Sequence, residues 1–125
     1  MMKAGWSLLI TLLFFSSLSQ AQKIVYSDPE KDDSRRMNFE IAGKVGNNFL
    51  IYKSIRNQNW ISVLDNDMKM IDRSELDFIP GNDRVINVDI FTYPDFLYFV
   101  YQYQRKGIVY CEAARVNGNG KRVGE

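Results

Sequence analysis

Residues 96–120 read FLYFVYQYQRKGIVYCEAARVNGNG, and this stretch decides the fold. Leu97, Phe99, Tyr101 and Tyr103 alternate with a second set of side chains, the period-two pattern of a strand with one face in a core. Arg105-Lys106-Gly107 turns the chain, and Ile108 to Val116 returns. Asn117-Gly118-Asn119-Gly120 then contains the dipeptide best suited to a type I′ hairpin turn.

Working outward, the same order appears upstream in FLIYKSIRNQNWISVLDNDMKMID, residues 49–72. Each stretch has an aromatic-aliphatic strand, a basic polar turn, a second strand, an Asx-rich turn and then a lysine. Phe49 and Phe96 are 47 residues apart, and Lys69 and Lys121 are 52 apart, so the repeat period is about 50. At the end of the upstream stretch, a third strand beginning at Met68 to Asp72 is expected to extend through Leu76 to Ile79. Pro80-Gly81-Asn82-Asp83 ends it, and Val85 to Phe91 forms the next strand. The chain is expected to be all-β and antiparallel.

This order of strands and turns, from Gly43 onward, resembles secreted β-propeller proteins built from four-stranded blades. The resemblance implies about two blades of a partial propeller in residues 43–125, the second incomplete, preceded by a polar entry segment at 22–42. A propeller closes with about four to eight blades, so under this resemblance the chain is cut short or pairs its open sheet edge with another chain. Neither the Gly-His with Trp-Asp pair nor the double-Gly kelch mark is present, so only the architecture carries over. A small β-sandwich or barrel of about seven strands is the alternative fold.

Residues 1–21 have the layout of a signal peptide: Lys3, then an apolar run from Trp6 to Leu18, then Ser19-Gln20-Ala21. Cleavage is expected between Ala21 and Gln22, releasing a soluble chain to the periplasm or beyond, because the run is shorter than the roughly 20 residues of a membrane span. The remaining 104 residues carry 15 Lys plus Arg and 15 Asp plus Glu. That balance provides no positive field for nucleic acid or an anionic membrane. Asp28 to Arg36 mixes charges of both signs around Pro29 and is read as a solvated loop.

The chain contains no histidine, which removes the commonest general base, the Ser-His-Asp arrangement and most zinc sites. Cys111, the one cysteine, sits in an apolar alternating segment and is expected to be a buried thiol. Asp65 to Lys69 lacks the spacing of a calcium loop and is read as a hairpin turn. No catalytic residue, metal ligand or cofactor site is assigned. Trp60, Tyr98, Tyr103 and Arg105 are the candidate ligand-binding residues, since rings beside amides and arginine suit a sugar or a peptide. Packing between sheets is the competing role for the same rings. The expected function is a non-enzymatic exported scaffold at the cell envelope that binds a protein or carbohydrate. The alternative is a fragment of a carbohydrate-active hydrolase or lyase whose active site lies elsewhere.

Overall fold

The computed structural model describes residues 22–32, 34–81 and 83–124. The signal segment, including Ala21, therefore lies outside the described residues. The chain is all-β, with seven strands among the described residues: β1 (Met37–Val45), β2 (Asn48–Ile55), β3 (Gln58–Leu64), β4 (Met70–Glu75), β5 (Arg84–Thr92), β6 (Phe96–Arg105) and β7 (Ile108–Asn117). They form two antiparallel meanders, sheet A in the order β1-β2-β3-β4 and sheet B in the order β5-β6-β7, neither closed into a barrel.

The turns follow from local chemistry. Arg56 and Asn57 link β2 to β3 with φ of 49° and 67°, and Lys106 and Gly107 link β6 to β7 with φ of 49° and 79°. Two consecutive positive φ values are what a two-residue type I′ hairpin requires. After β3, Asp65 Oδ1 accepts from the amides of Asp67 (2.9 Å) and Lys69 (3.0 Å), and the Asp65 amide donates to the Lys69 carbonyl (2.9 Å). After β7, Asn117 Oδ1 accepts from Asn119 (3.0 Å) and Lys121 (3.1 Å), and the Asn117 amide donates to the Lys121 carbonyl (2.9 Å). These two Asx turns have the same hydrogen bonds, with Met68 (φ 60°) in the place that Gly120 (φ 74°) takes in the second.

The sheets pack face to face. Leu50, Tyr52, Ile61 and Val63 of sheet A meet Leu97, Phe99, Tyr101, Tyr103, Ala114 and Val116 of sheet B. Phe99 is fully buried and takes ring edges from Tyr52 (5.6 Å) and Phe78 (5.9 Å). Leu76 and Ile79 are not strand residues; they lie in the β4–β5 connection and are buried in this core. The strand expected from Met68, β4, therefore ends sooner than the apolar run suggests, because those residues fill the core from the connection that follows it. Strand structure also begins at Met37, inside the expected entry segment.

The first strands of both sheets run side by side and are pinned at one end. The Thr92 hydroxyl donates to the Ala42 carbonyl, and the Gly46 amide donates to the Pro94 carbonyl at 2.8 Å. On the far side of sheet B, Val116 bridges Arg122 and the Val123 amide reaches the Arg115 carbonyl at 2.8 Å. From Ile108 to Ala113 the β7 edge has no neighbouring strand among the described residues. Cys111 is exposed there. The expected buried thiol is corrected: every residue from Ile108 to Ala113 is exposed, and among the described residues no layer covers the side that Cys111 takes.

Candidate functional site

The four candidate residues do not form one patch. Trp60 is half-buried on the outer side of sheet A, with the Arg73 guanidinium 4.8 Å from its ring. Tyr98 lies on the opposite outer side, that of sheet B, against Phe96 (5.2 Å) and Tyr93 (5.9 Å). Tyr103 is buried in the core-facing row of β6. Only Tyr103 and Arg105 come together, the guanidinium standing 5.5 Å from the ring.

Around that pair the rings form a ladder. Tyr101, Tyr103 and Tyr110 stack at 6.2 and 5.2 Å, and Glu112 accepts from the hydroxyls of both Tyr101 (3.0 Å) and Tyr103 (2.9 Å). Burial, and then the Glu112 carboxylate, push the Tyr101 phenol up to about 12. The hydrogen bond to Glu112 likewise raises Tyr103. Arg105 reaches back to Asp83 at 2.7 and 2.9 Å. With their hydroxyls engaged and their faces stacked, Tyr101 and Tyr103 hold β6 to β7 rather than present rings to a ligand.

A concave site lies elsewhere, between the unpinned ends of β1 and β5. From the Gly43–Thr92 contact the two strands diverge towards Asn38 and Asn87, leaving a cleft of about 530 Å³. One wall is polar. Asn38 pairs across the sheet with Ser54, and Ser54 with Asn59, while Glu40 pairs with Tyr52. Three polar residues therefore form a cross-strand row on the side of sheet A that elsewhere supplies core. Buried Asn59 is held in place by the Tyr52 hydroxyl, which donates to its Oδ1 at 2.7 Å. Burial, and to a lesser degree the Glu40 charge, raise the Tyr52 pKa, so the phenol stays a donor at neutral pH. The opposite wall, from Pro80 to Val88, includes Val85, Ile86 and Val88. Sequence reading missed this site because Asn57-Gln58-Asn59 looks like plain turn chemistry. Register alone places Asn59 in line with Asn38.

Outside sheet A lies the N-terminal segment. Glu30 and Asp32 pair with Lys53, which is 8% exposed, and Asp32 also takes the Arg73 guanidinium at 2.9 Å. Burial opposes the Asp32 charge, but the hydrogen bonds from Arg73 and Lys53 outweigh it and hold the carboxyl below its ordinary value. A depressed carboxyl stabilises the folded contact above its unfolded pKa of about 3.9 and loses that stabilisation as pH falls through the lower folded value. Acid titration of a Trp6→Phe chain should therefore change Trp60 emission below about pH 4, as the segment leaves the Arg73–Trp60 stack. The further change Asp32→Asn should weaken that acid transition; an unaltered titration curve would show that the segment is not held by this carboxylate.

Comparison with protein-family models, with curated proteins and with solved structures found no match. No helix among the described residues is long and apolar enough to cross a membrane.

Proposed function

We propose that this chain is an exported, non-enzymatic β-repeat protein that acts as a binding and assembly scaffold at the cell envelope, its two sheets being consecutive blades of a propeller-type architecture. One observation carries the reading. The hairpin turns at Arg56-Asn57 and Lys106-Gly107, and the Asx turns at Asp65 and Asn117, recur in the same order with the same backbone geometry in two successive meanders. Such sheets stack face to face with their first strands at one edge, as β1 and β5 do.

Assembly uses the β7 edge. Among the described residues no strand pairs with it beside the exposed Ile108, Val109 and Tyr110, and an uncovered edge of this kind is a template for another strand. Export uses residues 1–21, with cleavage before Gln22 and delivery to the periplasm or the medium.

The full chain, expressed in a bacterial host, tests both halves. Intact mass of the exported fraction should correspond to a chain starting at Gln22; retention of the uncleaved chain inside the cell overturns export. Sedimentation across a concentration series should show self-association, with Cys111 becoming protected from a thiol reagent as the assembly grows. A monomer whose Cys111 reacts equally at every concentration overturns assembly through β7.

A further inference from the structure

We infer that the cleft between β1 and β5 binds a neutral carbohydrate, with Asn38, Glu40 and Asn59 supplying its polar wall and the β5 segment its apolar wall. A pyranose ring has the same division: hydroxyl groups around its rim and a C–H face that behaves as apolar surface. The cleft volume of about 530 Å³ falls within the roughly 300–1,000 Å³ of small-molecule sites. Its two walls differ in the required sense. Asn38, Ser54 and Asn59 line up across β1, β2 and β3, whereas the opposite wall offers apolar surface from Val85, Ile86 and Val88 of β5 and from Pro80 in the connection before it, set among Asp83, Arg84 and Asn87.

The charges select against ionic ligands. Arg84 and Glu40 offset one another, and the Asp83 carboxylate is engaged by Arg105. The cleft therefore presents no cationic cluster for a phosphate or a uronic acid. Among the described residues, the side chains of Asn38 and Glu40 make no hydrogen bond, although both stand beside the ordered Tyr52–Asn59 pair. An exposed carboxylate and amide next to a fixed amide can accept from and donate to sugar hydroxyls without rearrangement. The site is separate from the β7 edge, so it stands or falls independently of assembly.

The test is retention of the full chain on an array carrying neutral and anionic glycans, followed by titration of the best-retained glycan. Retention confined to neutral glycans is expected, with affinity lowered roughly tenfold by Glu40→Gln and by Asn38→Ala. Gln102→Ala, on the outer side of sheet B, should leave it unchanged. Both cleft side chains are exposed, and urea midpoints equal to wild type verify folding. Amide shifts on titration should fall at residues 38–40 and 84–88. No retained neutral glycan, preference for anionic glycans, shifts centred on Tyr98 or Trp60, or full affinity in both cleft variants would overturn the assignment.

Discussion

Replacing Phe99 by alanine is expected to cost about 3–5 kcal/mol of folding stability, the range for a large aromatic removed from a packed core. Phe99 is fully buried, and it is where three parts of the chain meet: β6 itself, β2 through Tyr52, and the β4–β5 connection through Phe78. Alanine leaves a void between sheets that cannot close without moving a whole sheet, so little relaxation offsets the loss. Domains of this size have about 5–15 kcal/mol in total, so the variant should be close to unfolding at room temperature. Urea denaturation followed by circular dichroism gives the number. Phe91→Ala provides the contrast, because Phe91 is on the same sheet but half-exposed, and its change should stay within about 0.5 kcal/mol. Equal losses for the two would mean that the sheets are not joined through Phe99.

The second large effect is expected at the pin between the first strands. Gly43 has φ +124°, a conformation that side chains rarely adopt, and a Cβ there would stand 2.8 Å from Thr92 Cγ2. Gly43→Ala must accept the strained backbone and displace Thr92, whose hydroxyl donates to the Ala42 carbonyl. Backbone strain of about 1–3 kcal/mol and the lost hydrogen bond together predict a cost of about 2–4 kcal/mol. Thr92→Ser removes the clashing methyl and keeps the hydroxyl, so Gly43→Ala in that background should recover the steric part. A double-mutant cycle on urea midpoints measures the recovery, and additive losses would show that the Cβ and the methyl do not meet.

Most of sheet B was legible in the sequence, because Leu97, Phe99, Tyr101 and Tyr103 alternate cleanly and each turn has residues that tolerate positive φ. β1 was not. Met37 to Val45 contains Glu40, Gly43 and Lys44, and its outer Phe39 and Ile41 are 64% and 68% exposed, so neither face has a consistent character. A β-bulge between Ile41 and Gly43 also breaks the period that a pattern search depends on. Leu76 and Ile79 misled for the opposite reason: their apolar character is a core signal, but they reach the core from a turn. Candidate site residues chosen for aromatic character turned out to be divided between two opposite outer faces, for Trp60 and Tyr98, and the core, for Tyr103. The cleft depends on cross-strand register and on two strands diverging, neither of which is local information.

The strand pairings described above join only sequence neighbours, β1 to β2, β2 to β3, β3 to β4, and again β5 to β6 and β6 to β7. Each loop to be closed is a hairpin, so the entropic barrier to forming either sheet is small. During synthesis, all of sheet A emerges before any residue of sheet B does, so sheet A can zip up first. Its Leu50, Ile61 and Val63 then wait bare until β6 arrives, some twenty or more residues later. At the roughly 5–20 residues per second of translation, that interval is on the order of seconds. A nascent chain of this design therefore spends its most aggregation-prone moment half built, and a chaperone would act on it there rather than on the finished protein.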